Sequence, residues 1–253
     1  MLKLRFLGVG NAHAAALGNA SAVVEVADVP RLLIDCGPLV PDAYQQAYGA
    51  TVPEAIFITH NHIDHIGGLE SLFYRIACHD GQWLRPKLFV PAPIIERLHE
   101  QLGNDPMRLA EGGVNFWDCF QLVPVSDSFW HAGELFDVFA VQHHAYRSAF
   151  GVGVASRFLF TGDTRPVPEV LERFAGNGET VFHDCALQGN PSHTGLGDLA
   201  AFYSPAQRQR LVLYHYESAL AGEQLRARGY RVAQKGETFE LFESDERGLS
   251  KSA

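Results

Sequence analysis

A chain of 253 residues with 47% apolar and 19% charged side chains is long enough to bury a full core, and a single domain over 1–243 is expected. Its formal net charge of −9 argues against broad binding to phosphate backbones, which draws on clustered Lys and Arg, so long nucleic acids are poor partners. No apolar run approaches the ~18 residues that span a bilayer, the opening MLKLRFLGVG lacks the apolar centre and cleavage site of a secretory signal, and Cys36, Cys78, Cys119 and Cys185 lie far apart without a CxxC pair. A cytoplasmic protein with reduced thiols and no membrane partner is expected.

In chain order, residues 1–75 read as strand LKLRFLGVG, a glycine-rich turn, strands SAVVEVA and RLLIDCG, a loop, strand EAIFITH and a helix from about Asp64. Between about 80 and 150, strands KLFVPA and FQLVPV flank a helical stretch near Ile94–Leu102. Alternation resumes in ELFDVFAVQHH, GVGVASRFLFTGDT, ETVFHDC and RLVLYHY, with short helices between them. The order is mixed α/β throughout, and the polar end predicts a frayed tail over 244–253. The aromatic residues Phe116, Trp117, Phe120, Phe129 and Trp130 read first as core packing, with a pocket wall or a homodimer surface as alternatives.

Several apolar strands end in a residue able to bind metal: Asp35 after RLLI, His60 after AIFIT, His143 after FAVQ, Asp163 after FLFTG and His215 after LVLY. Buried strands running side by side gather their ends at one edge, so these distant side chains can converge. The chain holds 12 histidines, and the segment His60-Asn61-His62-Ile63-Asp64-His65 is the densest concentration of donors. His60 and His62 are alternating positions of an extended turn, whereas Asp64 and His65 start a helix that Gly67 and Gly68 allow to approach closely. Neutral imidazoles and a carboxylate without a nearby thiolate suit an open catalytic site for zinc or another first-row metal.

Here the string THNHIDHIGGL resembles the HxHxDH signature of the metallo-β-lactamase superfamily. FLGVGNAH, LLIDCG, FLFTGDT and LVLYHY extend the likeness over most of the chain, which is most similar to the ribonuclease Z and phosphodiesterase-like branch. The resemblance implies a four-layer αββα sandwich and two divalent metal ions, zinc first, with manganese or iron as alternatives. It implies that His60, His62 and His143 hold one metal, that Asp64, His65 and His215 hold the other, and that Asp163 bridges them. Two cations ~3.5–4 Å apart need a shared anion to relieve their repulsion, which agrees with that role for Asp163; an Asp-Thr turn cap is its alternative. His215 has a buried core histidine as its alternative. His143 is preferred to its neighbour His144 because Phe139, Val141 and His143 alternate onto one face.

Asp35 reads equally as a carboxylate orienting a metal-binding histidine and as a turn cap before Gly37. His193, in NPSHTGL, resembles the branch's histidine near the leaving group, with a plain loop histidine as the alternative. His13, His79, His99, His131 and His183 are expected in surface or packing roles, His13 and His183 least firmly because each abuts a predicted site edge.

The expected mechanism is hydrolysis by a metal-bridging hydroxide, with Asp64 orienting the water and His193 protonating the leaving group. Only residues 144–162 separate His143 from Asp163, which leaves no room for the long basic arm with which ribonuclease Z grips transfer RNA. A small-molecule phosphodiester, cyclic nucleotide or modified nucleotide is therefore the first expected substrate. Ester, lactone or thioester hydrolysis is the runner-up, and a metabolite-binding sensor is the reading of another class.

Overall fold

Leu2, Leu4 and Phe6 are buried while Lys3 and Arg5 between them are half-buried, and this period of two makes Leu2–Gly8 a strand with one face toward the core. The computed structural model describes residues 1–78, 85–104, 109 and 113–243. Its strands are β1 (Leu2–Gly8), β2 (Ser21–Val26), β3 (Val29–Ile34), β4 (Ala55–Phe57), β5 (Lys87–Pro91), β6 (Gln121–Val125), β7 (Ser128–His131), β8 (Glu134–Ala140), β9 (Phe150–Val154), β10 (Phe158–Phe160), β11 (Thr180–Asp184), β12 (Leu211–Tyr214), β13 (Arg231–Val232) and β14 (Thr238–Leu241).

They form two seven-stranded sheets, ordered β14-β1-β2-β3-β4-β5-β6 and β13-β12-β11-β10-β9-β8-β7. In the first, β14 to β3 are antiparallel and β3 to β6 parallel. The second repeats this plan, antiparallel from β7 to β10 and parallel from β10 to β13. Strands β9 to β12 are buried at every residue, so they read as continuous apolar runs instead of alternating ones.

The sheets pack face to face. The Phe6 ring lies 5.5 Å from Phe182, 5.6 Å from Tyr214 and 6.2 Å from Phe160, and at the other end Phe89 stacks on Phe129 at 4.2 Å. Buried residues of both sheets join in one hydrophobic cluster. Helices cover the outer faces: the Arg5 guanidinium sits over Tyr48 at the end of helix Val40–Tyr48, and Phe139 stacks on Phe174 of helix Pro168–Phe174. The result is the expected helix–sheet–sheet–helix sandwich.

Several local expectations are corrected. GVGVASRFLF is a hairpin, β9 and β10, turned at Ser156 with φ of 60°. Strands β7 and β14 were not anticipated, and the stretch near Ile94–Leu102 is a succession of short 3₁₀, α and π turns over Ala92–Gly103. Phe116, Phe120 and Phe129 are core residues and Trp117 packs partly against them, but Trp130, on the edge strand β7, is 69% exposed. The expected tail at 244–253 and His79 lie outside the described residues.

Candidate metal centre

The parallel strands deliver their carboxyl ends to one edge, and the centre lies there. After β4 the chain stays extended through Ile58, whose N–H donates to the Phe89 carbonyl at 3.1 Å, and through His60, bridged to Ala149. His62 is the last extended residue before helix Ile63–Ile66, a single turn that carries Asp64 and His65. The glycines have a steric reason: a side chain at Gly37 would overlap the Asp64 carbonyl, and one at Gly68 would overlap the Gly37 carbonyl. Asp35 and His215 take φ of 61° and 69°, a conformation that costs a non-glycine residue about 1–2 kcal/mol and gathers at functional sites.

One triad consists of His60 Nε2, His62 Nδ1 and His143 Nε2. His62 Nδ1 lies 3.1 Å from each of the other two nitrogens. Nitrogens bound tetrahedrally at ~2.0–2.1 Å would stand roughly 3.3 Å apart, so these rings already hold the spacing of a coordination shell. A second group joins Asp64, His65 and His215. Asp163 Oδ2 reaches both groups: it is 3.2 Å from His215 Nε2, 3.3 Å from His65 Nε2, 3.6 Å from His60 Nε2 and 3.8 Å from His143 Nε2.

The outward ring nitrogens are held by the protein. His65 Nδ1 donates to Asp35 Oδ2 at 2.7 Å, and the same carboxylate accepts from the Thr59 N–H and hydroxyl at 2.8 and 2.7 Å. His143 Nδ1 donates to the Ser192 carbonyl at 2.8 Å, and His215 Nδ1 faces Asp184 Oδ1 at 3.3 Å. These contacts fix the tautomers and turn each Nε2 inward. Among the described residues, His65 Nε2, His215 Nε2 and Asp163 Oδ1 are buried with no hydrogen-bond partner, a costly arrangement that a bound cation relieves. The residues therefore fit metal.

Charge follows the same division. Burial pushes His60, His62 and His143 down, His143 to about 4, so this triad is neutral and ready to donate lone pairs. Burial also opposes charge on His65 and His215, but Asp163, with Asp35 and Asp184, outweighs it and holds His65 well above the usual imidazole value and His215 at about 9. Burial would raise Asp163, yet His215 and His65 hold it well below the carboxylate range.

Asp184, at the end of β11, is fully buried and was missed in the sequence. Its Oδ2 accepts from His193 Nδ1 at 2.8 Å and from the Thr164 N–H at 2.9 Å. The signal was present: TVFHD ends in a carboxylate just as RLLID does. Burial works against a charged His193, but its bond to Asp184 prevails and raises it above the ordinary imidazole value.

The alternation that favours His143 runs on past the end of β8 at Ala140: Phe139, Val141 and His143 are buried, whereas Ala140, Gln142 and His144 are exposed. His143 is aimed further by Ser192, and His144 has Nδ1 3.2 Å from Ser192 Oγ. Asp35 orients His65, as one of its two readings had it. His183 is a packing residue between the Asp184 carbonyl and the Tyr203 hydroxyl, and His131 is buried against the Arg31 carbonyl. His99 is exposed beside Trp117. His13 joins Asp64, Asp163, His193 and His215 in lining a cleft of 280 Å³, so its position is at the site. A cavity of 350 Å³ adjoins it, along His60, His62 and His143. A larger hollow of 580 Å³ beside Asp137 and Arg173 has none of the gathered donors in its wall.

The family description Anti-Pycsar protein Apyc1 matches residues 2–239. The chain belongs to the Apyc1 family. It is 29% identical over 250 residues to the Anti-Pycsar protein Apyc1 of Paenibacillus harenae, a match covering 95% of this chain and 100% of that relative. The metallo-β-lactamase fold protein YhfI from Bacillus subtilis superposes with a TM-score of 0.73 at 14% identity, covering 94% of this chain and 98% of YhfI. A diphosphatase from the PhnP family superposes with a TM-score of 0.71 at 18% identity, covering 96% and 98%. This Apyc1-family chain thus has the metallo-β-lactamase fold, and no helix among its described residues is long and apolar enough to cross a membrane.

Proposed function

We propose that this Apyc1-family protein is a cytoplasmic metal-dependent phosphodiesterase acting on a small nucleotide-type phosphodiester, a cyclic nucleotide first among them. The observation that carries the reading is the approach of Asp163 Oδ2 to histidines of both donor groups, within 3.2–3.8 Å. His60, His62 and His143 would hold one divalent cation and Asp64, His65 and His215 a second, with Asp163 shared. Imidazole and carboxylate donors favour zinc. When bound, such a pair supplies Lewis acidity toward a phosphoryl oxygen and lowers the pKa of water.

The chain's own groups do the rest. His193 keeps Nδ1 on Asp184, which leaves Nε2 to give a proton to the departing ester oxygen from the wall of the cleft. Asp184 favours the protonated ring, holding His193 above the ordinary imidazole value. Asp64, on the same wall, accepts a hydrogen bond from the attacking water and orients it. Asp35 and Ser192 prevent His65 and His143 from rotating out of register.

The relatives' name, anti-Pycsar protein, marks a role against Pycsar, and we extend that role to this chain. The net charge of −9 and the short stretch between His143 and Asp163 favour a small substrate over a long nucleic acid. The test is to assay the metal-loaded protein on 3′,5′-cyclic nucleotides, bis(p-nitrophenyl) phosphate, a thioester and a lactone. Diester turnover that is lost in Asp163→Ala supports the proposal. Turnover of the thioester or lactone alone would assign an acyl hydrolase, and tight nucleotide binding without any turnover would assign a sensor.

A further inference from the structure

The cleft and the cavity that adjoin the donor cluster, both lined by His62, differ in charge. The 280 Å³ cleft is walled by the carboxylates Asp64 and Asp163. Among the described residues the 350 Å³ cavity has no carboxylate in its wall; beyond the histidines it is lined by Asn61, Arg97, Gln101, Ala145 and Ser148. Arg97 is exposed, and among the described residues its guanidinium has neither a hydrogen bond nor an ion pair. Glu96 and Glu100 border the adjoining hollow without pairing with it.

The backbone that carries Arg97 is tied to the donor segment from both sides. Asn61 Nδ2 donates to the Ile94 carbonyl at 3.0 Å, and Gln101 Nε2 donates to the Asn61 carbonyl at 3.1 Å. Leu98, next to Arg97, is fully buried. Asn61 stands between His60 and His62, so the same residue that spaces two donors also fixes the turn that presents the arginine. A guanidinium that is unpaired among the described residues and lines the same cavity as the imidazole triad is a ready partner for a phosphoryl group, whose planar pair of oxygens it matches.

We propose that Arg97 is a substrate-anchoring and specificity-determining residue: its guanidinium binds a non-bridging phosphoryl oxygen from the carboxylate-free side of the centre and selects anionic phosphodiesters over neutral esters. This rests on the phosphodiesterase reading and narrows it to substrates that carry a negative charge at the reacting group. His193 lines the other cleft, which shares His62 with this cavity, so the anchor and the proton donor reach the donor cluster from two adjoining pockets.

The experiment compares Arg97→Gln and Arg97→Lys with the unaltered, metal-loaded protein, using bis(p-nitrophenyl) phosphate for kinetics and inorganic phosphate for calorimetric binding. Arg97→Gln should raise KM and weaken phosphate binding by about tenfold or more, the loss expected for one charge-assisted hydrogen bond, with kcat changed by less than about threefold. Arg97→Lys should recover part of both effects. Equal metal content and melting temperature in all three proteins establish that the fold is intact. Unchanged KM and unchanged phosphate affinity in Arg97→Gln would overturn the assignment. If the unaltered protein turns over no diester, the phosphodiesterase reading fails, and the phosphate titration still decides whether Arg97 is an anion anchor.

Discussion

Asp184 Oδ2 accepts a hydrogen bond from His193 Nδ1 at 2.8 Å, joining a fully buried carboxylate to an imidazole on the wall of the cleft. The other oxygen of the same carboxylate faces His215 Nδ1 at 3.3 Å. One side chain therefore orients both a donor of the centre and the group assigned to the leaving oxygen, which couples proton delivery to the geometry of the cluster.

That coupling makes the pH profile diagnostic. His193 must be protonated to act, and its pKa is raised above the ordinary imidazole value, so kcat should fall as pH rises through that raised value. Asp184→Asn removes the charge that sustains the shift, and the alkaline limb should move to lower pH. His193→Ala should lower kcat by about 10²–10⁴ for an alkoxide leaving group and by much less for p-nitrophenolate, which departs without a proton. Steady-state profiles on both substrates check this; an unmoved limb in Asp184→Asn would contradict it.

Asp35→Asn tests the orientation of His65. The amide can still accept from the Thr59 N–H, but it can no longer accept His65 Nδ1–H with a charged oxygen. Metal affinity should fall about 10–100-fold, read by competition with a chromophoric chelator.

After chelation the protein should be most stable near neutrality. His215 is held at about 9, so the folded state keeps a proton that the unfolded chain, with an imidazole pKa of about 6.5, has released; stability is full below about 6.5 and is lost as pH rises toward 9. His143 is pushed to about 4, so there the unfolded chain binds the extra proton, and stability is lost as pH falls from about 6.5 toward 4. Thermal melts of the chelated protein from pH 4 to 9 should trace a maximum between these limits. Adding metal ions should raise the melting temperature most on the alkaline side, where the donors are free of protons.

Phe6 joins the sheets through three rings of the opposite face. Phe6→Ala should cost about 3–5 kcal/mol in denaturant unfolding, since it removes a fully buried ring from a packed interface.

Much of the centre was legible because the same local event recurs: an apolar run stops at a residue with a donor atom, and parallel strands place such stops together. Asp35, His60, Asp163 and His215 follow that rule, and the HNHIDH segment adds the extended-to-helix change that separates its two pairs of donors. Asp184 obeys it as well but stands beside His183, and only the alternation of β11 shows that His183 points out to Tyr203 while Asp184 points in. His143 follows the alternation of Phe139 and Val141, but the carbonyl of Ser192 that fixes its ring lies far along the chain and is not readable from that pattern. Arg97 is not legible because its position depends on the hydrogen bond that Asn61 donates to the Ile94 carbonyl and the one that its own carbonyl accepts from Gln101. The edge strands β7 and β14 were short or weakly apolar, and only sheet pairing defines them.

The most direct test of the account is anomalous diffraction at the zinc edge from crystals of the zinc-loaded protein, together with metal counts for the unaltered chain and Asp163→Ala. Two ions roughly 3.5–4 Å apart, sharing Asp163, with at least one lost from Asp163→Ala, is the predicted result. A single ion or none between the two donor groups, or full metal retention without Asp163, would contradict it.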